Sequence, residues 1–405
     1  MNILFLTMSR IFDLNQNGIY PDLLREFTKN GHYVTVAAPA ERRFDENTNM
    51  TEYNNYRVLR IKVGNLQKTN VIEKGISTVL LESQFLSAIK RYCSDVTFDL
   101  VIYSTPPITF GKVIDYIKKR DDAKTYLLLK DIFPQNAVDL DMFSKKSIFY
   151  AYFRMKEKQL YKQSDFIGCM SQANVDFVIN NNPYIDKSKV HVAPNSIKLL
   201  DVEKFTDEQR NQIRKNYNIP VDKKVFVYGG NLGKPQGIPF LIKCLEANKN
   251  KADRFFVISG TGTEYPKLKA YVDDNQPNNV LLINGLPKDE YEDLVKACDV
   301  GLIFLDYRFT IPNFPSRTLS YMSNSMPIVA CTDVNTDVGK TIVNGGFGWW
   351  CESVDEMVFT ELIDGVIKED LIQKGIKARK YLEENYSVDK CCETILNSLY
   401  DLSLV

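Results

Sequence analysis

Short β-branched and aliphatic runs alternate with longer segments of helical periodicity along nearly the whole chain. That alternation restricts the fold to parallel sheets covered by helices, because a strand buried on both faces reads as a near-continuous apolar run. The first half predicts strands over 2–7, 33–38, 57–62, 100–104, 124–129, 166–170 and 190–193. The second half predicts them over 225–229, 254–259, 280–284, 300–304 and 327–330. With 405 residues the chain is too long for one ordinary domain. The expected class is therefore α/β, with Rossmann-like doubly wound domains at 1–196 and 197–385 facing each other across a cleft at the carboxyl ends of both sheets. The segment 197–204 has no clear period, and Thr206-Asp207-Glu208-Gln209 then begins a helix with a capping signature. A last helix within 386–405 has an apolar face (Val388, Cys391, Ile395, Leu399) expected to pack back on the first domain.

Within 225–237, the strand Val225-Phe226-Val227-Tyr228 runs into Gly229-Gly230-Asn231-Leu232-Gly233-Lys234-Pro235-Gln236-Gly237, and an amphipathic helix follows. This is how an anion site is built. Gly229, Gly230 and Gly233 permit positive φ and close approach, the helix start presents unpaired N–H groups, and Lys234 adds a full charge. The Walker ending Gly-Lys-Ser/Thr and the dinucleotide spacing Gly-x-Gly-x-x-Gly are both absent. A strand-to-helix turn without a ligand is the alternative.

Ser259-Gly260-Thr261-Gly262-Thr263 and Asn284-Gly285-Leu286-Pro287 are further glycine turns after strands, and each also reads as a plain turn. In Phe314-Pro315-Ser316-Arg317-Thr318-Leu319-Ser320, Pro315 suits the first turn of a helix. Ser316 and Arg317 then offer a hydroxyl, N–H groups and a guanidinium to an anion, or form an ordinary exposed helix start. In the first half, Asn15-Gln16-Asn17-Gly18-Ile19 precedes a helix over 21–29, where main-chain N–H groups can reach a phosphate. Lys130-Asp131-Ile132-Phe133-Pro134-Gln135-Asn136 follows a strand and places Asp131, Gln135 and Asn136 at the cleft rim. Asp131 either orients an acceptor hydroxyl, accepting its proton, or serves as a loop or capping carboxylate.

Several chemistries lack residues. Fifty-one basic residues balance 51 acidic ones, so no global field draws nucleic acid. The eight cysteines are scattered without a Cys-x-x-Cys pair, which reads as reduced cytosolic thiols. His32 and His191 both sit in strands and read as structural, and neither a Gly-x-Ser-x-Gly elbow nor His-Glu-x-x-His occurs. Asp139-Leu140-Asp141 could hold a divalent cation or lie in a solvated loop. The opening Met1-Asn2-Ile3-Leu4-Phe5-Leu6-Thr7 reads as a strand without a basic leader, and no apolar run is long enough to span a bilayer. Between Lys145 and Lys162, six basic residues meet one acid, Glu157, and are interleaved with aromatic and aliphatic side chains. Such a helix either lies on an anionic bilayer or contributes its aromatics to the core.

The motifs taken in order resemble the family 4 retaining glycosyltransferases of the GT-B fold, in the bacterial branch that builds capsule and O-antigen repeat units. The likeness runs through Asn17-Gly18-Ile19, Gly31-His32-x-Val34-Thr35-Val36, Asp131 to Asn136 and Val192-Ala193-Pro194-Asn195-Ser196. It continues through Gly230-Asn231-Leu232-Gly233-Lys234-x-Gln236-Gly237, Gly260-x-Gly262, Asn284-Gly285 and Pro315-Ser316-Arg317-x-x-Ser320-Tyr321-Met322. The resemblance implies a UDP-sugar donor on the second domain and, on the first, a lipid-diphosphate-linked or growing glycan acceptor. An N-acetylated hexosamine or deoxyhexosamine is the sugar expected. It implies no cofactor and no metal, and a place in the cytoplasm or on the cytoplasmic face of the inner membrane. By position it assigns the diphosphate to Gly230, Asn231, Gly233, Gln236, Ser316 and Arg317, and the base to Gly285 and Leu286. Asn17, Gly18, Gly260 and Gly262 complete the donor set, and Asp131, Gln135 and Asn136 form the acceptor set.

Two departures from the family pattern matter. The family commonly has Arg and Lys at the positions of Asn231 and Gln236, and two glutamates eight positions apart at those of Pro312 and Ser320. Lys234 and Arg317 are then the cations expected to meet the leaving diphosphate, with Asp131 as the third catalytic candidate, and Thr318, Ser320 or main chain are left to hold the ribose. Two rivals stand beside this reading: a UDP-sugar 2-epimerase, which shares the fold but needs acid/base groups in the cleft, and an inactive scaffold for a polysaccharide assembly complex.

Overall fold

The computed structural model describes residues 1–66, 71–200 and 205–400, with the backbone alone at 71, 72, 74–76 and 400. The chain divides into two compact units, Met1–Lys198 with Ser387–Val405, and Leu199–Tyr386. Part of the expected linker, 201–204, and the last five residues of the C-terminal segment lie outside the described residues.

The first unit holds β1 (Asn2–Leu6), β2 (Tyr33–Glu41), β3 (Asn49–Glu52), β4 (Tyr56–Val63), β5 (Leu100–Ser104), β6 (Lys124–Leu129), β7 (Phe166–Cys169) and β8 (Val190–Val192). They form one sheet in the order β3-β4-β2-β1-β5-β6-β7-β8, parallel except where β3 pairs antiparallel with β4. Fully buried runs such as Leu4-Phe5-Leu6 and Leu100-Val101-Ile102 make the central strands, as residues covered on both faces must. The helix Val388–Tyr400 belongs to this unit: Val388, Cys391, Cys392 and Ile395 join Leu24 and Phe27 of the helix Ile19–Lys29 in one core. A fully buried aliphatic side chain contributes about 1.5–3 kcal/mol, which is what holds this tail in place.

The second unit holds β9 (Lys224–Asn231), β10 (Arg254–Thr261), β11 (Val280–Ile283), β12 (Val300–Phe304), β13 (Ile328–Thr332) and β14 (Gly348–Glu352), all parallel in the order β11-β10-β9-β12-β13-β14. Its helix Asp207–Asn216 begins with the capping box that the sequence predicts, Thr206 Oγ1 accepting from Gln209 N–H and Gln209 Oε1 from Thr206 N–H.

β3 and β14 lie outside the predicted strands. β3 is an antiparallel edge with three of its four residues exposed, and β14 starts on a glycine and carries two tryptophans and no β-branched residue, so neither offers an aliphatic run to read.

In each sheet the strand order reverses at one place, between β1 and β5 in the first unit and between β9 and β12 in the second. Loops leaving the carboxyl ends of such a pair diverge to opposite sides and open a crevice, the usual ligand position in doubly wound sheets.

Candidate functional site

In the second unit, the loops after β9 and β12 meet at the switch point. The Asp306 N–H donates to Pro235 O at 2.9 Å, and a Cβ on Gly237 would stand 3.2 Å from Leu305 O. The loop after β12 leads to the short helix Arg317–Ser323, and Arg317 reaches back to β9, its Cζ 4.3 Å from the ring centroid of Tyr228. Tyr228 in turn donates its hydroxyl to Asn231 O at 2.8 Å, so one ring supports both the guanidinium and the glycine loop.

Arg317 has no carboxylate partner among the described residues, and its Nη1 is buried without a hydrogen bond. Burial opposes the charge, but the surrounding phenols Tyr228, Tyr321 and Tyr291 outweigh it, and the pKa stands above the ordinary arginine value. Thr318 Oγ1 beside it is also buried and unsatisfied. Buried polar groups in folded proteins are almost always paired, so these two adjacent orphans leave a guanidinium N–H and a hydroxyl open to an oxygen-rich ligand. Lys234 is exposed in the turn Lys234–Gln236 and forms no ion pair among the described residues.

The glycine loop differs in detail from the expectation. Gly230 has φ +120°, a value that favours glycine, but Gly233 sits at φ −104° and Gly229 has no positive φ. Gly229 is required by packing instead, since a Cβ there would collide with Tyr291. Gly260 and Gly262 are likewise packing glycines: a Cβ on either would come 1.9 Å from Gly230 O or 2.2 Å from Leu232 O. Asn231 and Gln236 pair with each other, Asn231 Nδ2 donating to Gln236 Oε1 at 3.3 Å, and Gln236 Oε1 also accepts from Gly233 N–H at 3.2 Å. Gly285 has φ +72° in a tight turn after β11, next to half-buried Leu286. Pro315 stands before the N-cap Ser316, not within the first turn, and the N–H groups of Thr318 and Leu319 are already bonded to Pro315 O and Ser316 O. What this helix brings to an anion is thus mainly the Arg317 side chain. Ser320 is half-buried one turn on.

In the first unit, Asp131 follows β6 and is tied to the loop after β5: Thr105 Oγ1 accepts from the N–H groups of Lys130 and Asp131 at 3.0 and 3.2 Å. Asn136 Nδ2 donates to both carboxylate oxygens of Asp131, at 2.8 and 2.9 Å, leaving its own Oδ1 buried and unpartnered. Burial pushes the Asp131 carboxyl up to about 6, against the lowering pull of Asn136 and the Ile132 N–H. Lys130 donates to Ala193 O at 3.2 Å, and burial pushes it down to about 8. Gln135, expected beside Asp131, donates to Asp139 at 2.6 Å. The Gly18 N–H points at Asp22 Oδ1, 3.4 Å away, and Asn17 precedes it in the loop. The helix behind Gly18 begins at Ile19, two residues earlier than expected.

The remaining candidates are accounted for in the structure. His191 Nε2 lies 2.6 Å from Tyr126 Oη, and His32 Nδ1 lies 3.3 Å from the Met1 amine. All eight cysteines are buried free thiols. Asp139 closes the helix Gln135–Asp139, and among the described residues no three His, Cys, Asp or Glu side chains gather as a metal site. No described helix is long and apolar enough to cross a membrane.

Tyr228, Tyr291, Tyr321 and Thr105 were not legible as supports for the site, because the tyrosines gather around Arg317 and Thr105 meets Asp131 only in the folded unit. Asp333 was also unforeseen: it accepts from Asn335 N–H, Thr336 N–H and Thr336 Oγ1, and burial pushes it up to about 6.

Comparison with known proteins bears on the family and the fold. Residues 209–387 match the model of the family described as Glycosyl transferases group 1. The chain is 26% identical over 325 residues to a probable glycosyltransferase, WbjE, of Pseudomonas aeruginosa, covering 79% of this chain and 78% of that protein. Sucrose-phosphate synthase from Thermosynechococcus elongatus superposes with a TM-score of 0.77 at 14% identity, covering 100% of both chains. HepE of Anabaena, solved with UDP-glucose, superposes with a TM-score of 0.70 at 14% identity over 99% of this chain and 100% of that one. The chain therefore has the GT-B fold, and its residues 209–387 are similar to the Glycosyl transferases group 1 family.

Proposed function

We propose that the protein is a retaining, metal-independent glycosyltransferase of surface polysaccharide biosynthesis, acting in the cytoplasm. It moves a sugar, an N-acetylated hexosamine or deoxyhexosamine, from UDP to a lipid-diphosphate-linked or growing glycan acceptor. The observation that carries the reading is Arg317: a guanidinium over the Tyr228 ring with Nη1 buried and unsatisfied, at the switch point of the region that matches Glycosyl transferases group 1. The UDP-glucose bound by HepE is consistent with a UDP-sugar here.

In this reading Arg317 and Lys234 receive the charge that develops on the departing diphosphate. A preorganised donor aimed at such charge is worth about 2.7–4 kcal/mol in the transition state. Gly230, Asn231, Gly233, Gln236 and Ser316 line the diphosphate, Gly285 and Leu286 meet the base, and Thr318 and Ser320 face the ribose. Asp131, held by Asn136, orients the acceptor hydroxyl, and the donor phosphate oxygen takes the proton as attack occurs on the face it leaves.

An inactive scaffold is the second reading, favoured by the neutral Asn231–Gln236 pair where two cations are expected. The test is UDP release from a panel of UDP-sugars with extracted lipid-linked glycan acceptors, with the product's anomeric configuration read by NMR. Acceptor-dependent, EDTA-insensitive release with retained configuration supports the transferase. UDP binding without turnover on any pair favours the scaffold, and a 2-epimer formed without acceptor favours the epimerase.

A further inference from the structure

We infer that the helix Ile148–Gln163 and the turn before it dock the protein on an anionic bilayer surface. The inference is independent of the catalytic reading, since it rests on the outer surface of the first unit alone.

The helix is sorted by face. Glu157, Leu160 and Tyr161 are buried, and Phe153 packs against Phe133 and Phe143. The sheet side is therefore filled without the remaining aromatics. On the outer face Ile148 is 79% exposed, Phe149 64% and Met155 55%, with Tyr152 between them and Met142, 62% exposed, in the preceding turn. Large apolar side chains this exposed and this close together mark an interaction surface, not a scatter of single residues.

The charges around them choose the occupant. Arg154 and Lys156 are internally paired, with Glu157 and Glu82. Lys145, Lys146, Lys158 and Lys162 are exposed and form no ion pair among the described residues. Lys145, Lys158 and Lys162 line one groove along the helix together with Tyr150 and Met155. A protein partner with an apolar patch would meet the first set of residues but leave four cations without a carboxylate, Lys162 having only the Tyr184 ring 5.4 Å away. An anionic bilayer meets both, its acyl boundary taking Ile148, Phe149 and Met155 while its headgroups take the lysines.

The test is co-sedimentation of the full chain with vesicles of phosphatidylcholine alone and of phosphatidylcholine mixed with phosphatidylglycerol. The mixed vesicles should bind the protein at low salt and release it at high salt, while the neutral ones bind it weakly. Lys145→Gln/Lys158→Gln/Lys162→Gln should weaken binding about a hundredfold, each near-surface lysine being worth about fivefold. Ile148→Ser/Phe149→Ser should weaken it even at low salt, and both variants should keep the wild-type melting temperature because the replaced side chains are exposed. Binding that ignores lipid charge, or that both variants retain, overturns the inference. So does a wild-type dimer that Ile148→Ser/Phe149→Ser turns into a monomer while vesicles bind neither, which would give the patch to a second copy of the chain.

Discussion

Arg317 Cζ lies over the Tyr228 ring, 4.3 Å from its centroid, and Nη1 is buried without a partner. The phenols that raise its pKa are uncharged near neutral pH and give it no counter-ion there, and replacing an unpaired, enclosed charge by an apolar side chain of similar length is often neutral or stabilising. Arg317→Met should therefore melt at or above the wild-type temperature in the absence of ligand. Differential scanning calorimetry checks this, and a drop of several degrees would mean that Arg317 is a structural residue whose partner lies within the fold.

Lys234 and Arg317 should respond differently to salt. Lys234 is exposed, so its attraction for a diphosphate is screened, whereas Arg317 is half-buried with Nη1 enclosed, where salt screens less. Lys234→Ala should weaken UDP binding about five- to tenfold at low ionic strength, with the gap closing near 1 M salt. The larger penalty of Arg317→Ala should persist across the same range. Titrations at two salt concentrations separate the two roles.

Gly260, within β10, and Gly262, just after it, should prove structural. Gly262→Ala places a methyl where Leu232 O already stands, 2.2 Å away, and should destabilise by about 1–3 kcal/mol or more. Gly365→Ala, in the helix Glu356–Val366 with open space around it, should instead stabilise by about 0.5–1 kcal/mol. Urea denaturation of the two variants gives opposite signs if the packing argument is correct.

The alternation of apolar runs made both sheets legible in the sequence, because strands covered on two faces must be continuous in hydrophobicity. The capping box at Thr206 was equally legible, since all its atoms lie within four residues. The glycine loop was legible as a loop but not in its reasons. Gly229 answers to Tyr291, and Gly260 to Gly230 O, contacts that only the assembled sheet creates. Arg317 could be picked out as a cation after a strand, but its lack of a carboxylate partner and its perch on Tyr228, 89 residues earlier, are tertiary facts.

Asp131 and Asp333 predict a pH dependence. Both carboxyls are raised from 3.8 to about 6 by burial, so each binds its proton more tightly in the folded than in the unfolded chain. Protonation therefore favours the folded state: the contribution of each is largest below about pH 4, declines as pH rises towards about 6, and is flat above. Activity should run the other way, because a hydroxyl is oriented by the ionised Asp131. The rate should rise with pH through about 6 and then level. Asp131→Asn should remove that limb and cost roughly 100-fold in kcat/KM, the scale of losing substrate orientation. Asp333→Asn should keep the activity limb while flattening the stability profile, as measured by melting temperature between pH 4 and 7.

The most direct measurement of the central claim is an isothermal titration of the full chain with UDP in EDTA, repeated on Arg317→Met. The account predicts binding that needs no divalent metal and that falls about 100-fold in the variant, the loss of a charge-assisted anion contact. Absence of UDP binding, or binding that Arg317→Met leaves unchanged, would contradict it.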